Sequence, residues 1–159
     1  MRQSKQSGFT LVELVMIIVI LGILSATALP KFFEKNTFAE RAFFTDTLSA
    51  IRFAQKIAVA TGCNVQVSIA SNSYSLNRQG DSSSLSCPGG STYALAVPRP
   101  SSGASSYTGS ESGITLTSSA SSFVFDPVGS ASADVTLTVN GAKTISVIAK
   151  TGFVYDSTP

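Results

Sequence analysis

Residues 8–33 read GFTLVELVMIIVILGILSATALPKFF, and the reading of this stretch decides the architecture. No charge falls between Leu14 and Leu29. The 22 residues from Phe9 to Pro30, wound as a helix, rise about 33 Å at ~1.5 Å each, which matches a bilayer hydrocarbon core of ~30 Å. Glu13 is the misfit. A carboxylate at the centre of a membrane helix costs about 2.5–3.5 kcal/mol on insertion scales. Glu13 lies near one end, so an acid in the interfacial layer is the plain alternative to a dedicated role. A secretory signal peptide is the other competitor, and Ser25-Ala26-Thr27-Ala28 is a weak match to its cleavage site. Against it, the apolar run is long for a signal core, and the pattern beyond it continues as helix.

Outside this stretch, composition sets the bounds. A chain of 159 residues holds an anchor and one domain of ~100 residues. Only 13% of residues are charged and 43% are hydrophobic, while the last two-thirds is loaded with Ser, Thr and Gly. That is a β-rich surface composition and not a disordered polyelectrolyte. Arg2 and Lys5 supply the whole formal charge of +2, and residues 9–159 carry nine basic and nine acidic side chains. Such a balance has no bulk attraction for nucleic acid or anionic membrane. Basic residues flank the apolar run on both sides, Arg2 and Lys5 against Lys31, Lys35 and Arg41, so charge counting does not orient it.

Beyond Pro30 the spacing of Phe44, Leu48, Ile51, Ala54 or Gln55, and Ala58 predicts an amphipathic helix over 31–62, with Gly62 as its C-terminal stop. Pro30 removes a backbone donor, so a kink or melted turn is expected between Ser25 and Pro30. Phe32, Phe33, Phe38 and Phe43 read as packing aromatics. The period then changes to alternation: strands are predicted at Val65–Ile69, around Tyr74 and Leu76, and at Tyr93–Val97, Ile114–Thr117 and Phe123–Phe125. Val135 to Val139, Asn140-Gly141 and Thr144 to Ile148 form a hairpin signal, and Gly152–Tyr155 is a last strand. The expected fold class is α+β, one long N-terminal helix, membrane-spanning in its first half, packed on a mostly antiparallel sheet domain at 63–159.

The segment Gly8-Phe9-Thr10-Leu11-Val12-Glu13, with a basic leader before it and an apolar helix after it, resembles the class III signal of type IV pilins and pseudopilins. The resemblance implies the pilin fold and cleavage of leader 1–8 after Gly8 by a prepilin peptidase, with methylation of the new N-terminus at Phe9. It also implies partnership with other major and minor pilins and with the assembly machinery of the inner membrane. A single span there would carry a periplasmic C-terminal domain, later displayed on a pilus or pseudopilus. The helix-loosening proline of that family matches Pro30. Cleavage exposes an α-amino group, protonated at neutral pH, and a neighbouring subunit's Glu13 can pair with it when helices stagger into a filament. Such a pair sets registry more than stability. The pattern FVFDPVGSA, then VTLTVNGAKTISVIAKTGFV, is similar to the C-terminal half of H-type pseudopilins and their FimT-like relatives. The N-terminal stretch is most similar to minor pilins of the mannose-sensitive haemagglutinin (MSHA) pilus.

Cys63 and Cys87 are the only cysteines. Outside the cytoplasmic membrane they would meet an oxidising compartment, which favours a disulfide; two free buried thiols are the alternative. Residues 80–113 are crowded with Ser, Gly and Pro and read as a solvated surface loop, or else as a recognition loop with Arg78, Arg99, Tyr93 and Tyr107 as contacts. The ingredients of catalysis are missing. The chain has no histidine, two cysteines cannot make a four-thiolate zinc site, no phosphate-cradling loop is present, and GSESG places Glu111 where a nucleophile elbow needs serine. No metal or cofactor is implied, although backbone carbonyls leave a calcium site open. Two function classes follow: a structural, assembly-related pilin subunit, or a binding module displayed on a filament, such as an adhesin, a DNA-uptake subunit or a contact for secretion substrates. With only Arg78, Arg99, Lys143 and Lys150 as basic residues of the sheet region, a nucleic-acid partner is disfavoured.

Overall fold

The computed structural model describes residues 9–80, 87, 92–100 and 102–159, leaving aside the side chains of 26–36. The chain divides into two compact units, Met1–Phe38 and Ala39–Pro159. Helix α1, Leu11–Thr61, starts in the first and ends in the second.

In the first unit the helix start is set by Thr10. Its Oγ1 accepts the Glu13 amide hydrogen at 3.2 Å, and its carbonyl accepts that of Leu14 at 3.2 Å. Thr10-Leu11-Val12-Glu13 has capping-box spacing, and Glu13 in the first turn stands at the positive end of the helix dipole. The large apolar side chains from Leu11 to Leu24 are exposed all around the helix, Ile17 least at 41% and Leu11 most at 78%. A helix apolar on every face is one that lipid or other protein covers. Among the described residues no helix is long and apolar enough to cross a membrane, and the described side chains of this run stop at Ser25. The leader with Gly8, and the side chains of Pro30, Phe32 and Phe33, lie outside the described residues. Phe38 is exposed.

In the second unit, α1 buries Phe43, Phe44, Thr47, Ala50, Ile51, Ala54 and Ala58, a stripe with three- and four-residue spacing. Leu48 is only partly buried, and the stripe is carried instead by small residues that let the sheets approach closely. Buried Thr47 returns its hydroxyl to the Phe43 carbonyl at 2.8 Å, so it costs no unsatisfied polar group. The helix stops where Gly62 takes φ +67°.

Among the described residues nine strands follow: β1 Val65–Ala70, β2 Ser73–Arg78, β3 Leu95–Ala96, β4 Thr108–Ser110, β5 Leu116–Ser118, β6 Ser122–Phe125, β7 Val135–Val139, β8 Lys143–Ile148 and β9 Phe153–Asp156. They form two sheets and not one. The first has the order β3-β2-β1-β6, with β4 also pairing β2; the second runs β5-β7-β8-β9; every strand pairing is antiparallel. Alternation turns Val65, Val67, Tyr74, Leu76, Phe123 and Phe125 of the first sheet inward. From the second come Leu116, Val135, Leu137, Val139, Ile145, Val147 and Val154, and both sets close on the helix stripe in one core.

The β7–β8 turn has both Asn140 (φ +50°) and Gly141 (φ +68°) in the left-handed region. Pairing resumes with Val139 opposite Lys143, so three residues make the connection, where Asn-Gly alone predicts two. Strand β4 lies inside the predicted loop 80–113 and carries no apolar alternation. It pairs by its backbone, with Gly109 opposite Tyr74 and the phenol ring lying over the glycine. A Cβ at Gly109 would sit 2.5 Å from Tyr74 Cζ, so the strand needs glycine there for the ring to cover it.

Candidate functional site

Of the site residues expected from sequence, Phe9 and Glu13 belong to the first unit and Cys63 and Cys87 to the second. Phe9 is 71% exposed. Glu13, one turn on, is also exposed and has the capping geometry described above. Cys63 and Cys87 form a disulfide with Cα atoms 5.4 Å apart, tying the end of α1 to the Ser-rich segment. Arg99 and Tyr107 are held largely inward by packing and pairing. Tyr107 is buried, and Arg99 is drawn into a polar cluster that sequence reasoning missed.

That cluster joins helix and first sheet. Asp46 on α1 accepts the Tyr74 hydroxyl hydrogen and, through both carboxylate oxygens, the Arg99 guanidinium. Arg99 Nη2 also donates to Tyr74 Oη at 3.2 Å, and its guanidinium carbon lies 4.6 Å from the centre of the Tyr107 ring. Burial, then the hydrogen bond to the Asp46 carboxylate, pushes the Tyr74 phenol well above the ordinary tyrosine range. Burial alone would lower Arg99, but its hydrogen bond to Asp46 and the Asp46 charge outweigh that and hold it above its usual value. The Tyr93 carbonyl accepts from Asn77 Nδ2 at 3.1 Å, and the Tyr93 and Arg78 side chains are half-buried.

A second clamp joins helix and second sheet. Gln55 Nε2 donates to Gly129 O at 2.8 Å and Thr151 O at 3.1 Å, and Arg52 Nε donates to Val154 O at 3.1 Å. The Asp126-Pro127-Val128-Gly129 turn is self-bonded: Asp126 Oδ1 accepts from Val128 N at 3.0 Å and Ser130 N at 2.8 Å. Gly152, at φ +60°, packs so tightly that a Cβ would overlap the Gly129 carbonyl and lie 2.5 Å from Gln55 Nε2. This explains why the two glycine motifs flank the hairpin: they leave room for one glutamine of the helix. The Arg52 bond also occupies an outward carbonyl of edge strand β9, which blunts that edge. At the hairpin tip, Asn140 donates to Glu40 at 2.9 Å and Lys143 lies over the Phe44 ring at 5.8 Å.

Among the described residues no group of His, Cys, Asp and Glu is placed to hold a metal ion. What the arrangement does is mechanical: it fixes a β domain to the C-terminal part of a helix whose N-terminal part is apolar and uncovered.

That is the arrangement of a pilin-like subunit. The family model described as type II transport protein GspH matches residues 45–152, and the chain belongs to this family. The model described as the prokaryotic N-terminal methylation motif matches residues 3–29. The crystal structure of the type IV minor pilin FimU from Pseudomonas aeruginosa is similar with a TM-score of 0.52 at 11% identity, over 74% of this chain and 91% of that one. This likeness is one of fold. Type IV narrow pilus major component PilA5 of Thermus thermophilus is 44% identical over 54 residues, 34% of this chain and 47% of that protein. The chain thus spans about half the length of that curated relative. The family matches are to filament-type subunits and not to enzymes.

Proposed function

We propose that this chain is a minor pilin of an MSHA-type pilus, of the MshC type, which primes or joins the filament and serves surface adhesion. The observation that carries the subunit role is the N-terminal segment: a methylation motif over 3–29 runs into a helix with exposed apolar side chains on every face. In this reading a prepilin peptidase removes residues 1–8 after Gly8 and methylates Phe9. The segment 9–30 rests as a single span in the inner membrane, with the domain in the periplasm, and then moves into the helical bundle of the pilus. Glu13 meets the α-amino group of a neighbour's Phe9, which compensates two charges that bundle burial would otherwise leave unpaired. Pro30 loosens the helix between the anchor and the part that holds the sheets.

Intact-mass and N-terminal analysis of the protein from membranes tests the processing step. The expected product starts at methylated Phe9; a product that retains residues 1–8, or one cut near Ala28, overturns it. The family description favours a second reading, an H-type pseudopilin of type II secretion. Deletion of the gene separates the two: loss of pili and of surface attachment supports the first, while loss of protein export with pili intact supports the second.

A further inference from the structure

Arg52 and Lys56 stand one turn apart on α1, both exposed. With Ser49, Phe53, Pro100 and Tyr107 they line a cavity of about 400 Å³. Its floor is aromatic, the Phe53 and Tyr107 rings lying 5.6 Å apart. Like charges at this helical spacing repel, and among the described residues neither cation has an acidic partner, the ion pair found there being Arg99 with Asp46. Arg52 spends only Nε, on the Val154 carbonyl, which leaves its terminal nitrogens for a ligand. The result is a concave site with two uncompensated cations over an apolar floor.

We propose that this pocket binds a carboxylate-bearing, aromatic segment of a protein partner. The carboxylate sits between Arg52 and Lys56, with the guanidinium offering the paired donors that fit its two oxygens. The aromatic side chain lies on the Phe53 and Tyr107 rings against the Pro100 edge. The charge distribution favours a protein carboxylate over a polyanion. Residues 39–159 carry seven basic and seven acidic side chains, so this unit has no net positive charge to draw a polyanion. The proposal goes beyond the subunit role and does not depend on it, because the pocket lies wholly within the second unit.

The test uses the full chain in detergent micelles and follows backbone amide shifts by NMR as blocked peptides are added. The probes are acetyl-Asp-Phe-amide, its acetyl-Asn-Phe-amide counterpart, inorganic phosphate and oligothymidylate. Saturable binding of the acidic peptide is expected, with shifts centred on Ser49 to Lys56. Affinity should fall about fivefold for Lys56→Gln, and likewise for the Asn peptide, as for loss of one exposed ion pair. Among the described residues Lys56 makes no hydrogen bond that holds the fold, so Lys56→Gln keeps the test independent of folding, and Lys150→Gln should change nothing. The proposal is overturned by absence of saturable binding, by equal affinity for the Asp and Asn peptides, or by equal affinity of wild type and Lys56→Gln. Phosphate as strong as the acidic peptide makes the site a bare anion hole, and tighter oligothymidylate makes it a nucleic-acid site; either result also overturns it.

Discussion

Replacing Gly152 by alanine adds one methyl group at a backbone position with no room for it. Two costs are separable. Gly152 sits at φ +60°, where a Cβ costs about 1 kcal/mol or somewhat more. The added carbon would also overlap Gly129 O and lie 2.5 Å from Gln55 Nε2. The Gly129 turn must therefore move, which breaks the 2.8 Å bond from Gln55. Loss of that bond is worth about 1 kcal/mol, and overpacking adds about 1 kcal/mol or more. The sum, about 3 kcal/mol, lowers the melting temperature of a domain of this size by about 12 °C. Gly141 is the control: it also has positive φ, at +68°, but a Cβ there meets nothing within 4 Å. Gly141→Ala should therefore cost only the backbone contribution, a fall of about 4 °C. The assay is thermal unfolding of the full-length protein in detergent, followed by circular dichroism. Equal melting temperatures for the two variants would refute the argument that Gly152 is required by the Gln55 clamp.

Three further outcomes follow from the same structure. Tyr74 holds its proton in the fold to higher pH than in the unfolded chain. Its contribution is therefore fully present below pH ~10 and declines by about 1.4 kcal/mol per pH unit above that, a slope that Tyr74→Phe should reduce in denaturant melts. Cys63→Ser opens a loop whose ends are 24 residues apart in sequence and should cost about 3 kcal/mol; alkylation of the unreduced, denatured wild type at two thiols would contradict the bridge. Glu13→Ala should leave processing and membrane insertion intact but reduce recovery of the subunit in sheared filaments, and wild-type recovery would dispose of the Glu13 pairing.

Much of the architecture is visible in local sequence because local periodicity drives it. The change from three- and four-residue spacing at Phe44 to Ala58 into alternation at Val65 marks where helix gives way to strands. Asn140-Gly141 marks the hairpin because its residues tolerate the left-handed backbone. What escaped were features that depend on partners far along the chain. Strand β4 has no apolar pattern of its own and exists because β2 offers it a backbone edge and Tyr74 covers Gly109. Arg99 and Tyr107 look like exposed loop residues until Asp46, 53 positions before Arg99, brings the guanidinium inward over the ring. The one available signal was an acid on the sheet-facing side of an amphipathic helix, which asks for a buried partner.

The sequence by itself determined the class of this protein. A methylation motif, an apolar helix with one acid and a β-rich tail are short-range patterns, each set by solvent and backbone preference within a few residues. Only the tertiary structure decided that the tail forms two sheets, that Asp46, Arg52 and Gln55 bond them to the helix, and that among the described residues Arg52 and Lys56 have no counter-charge beside an aromatic floor. Those facts turn on which distant groups meet. Pairing of buried polar groups is decided by three-dimensional proximity, and periodicity along the chain carries no record of it.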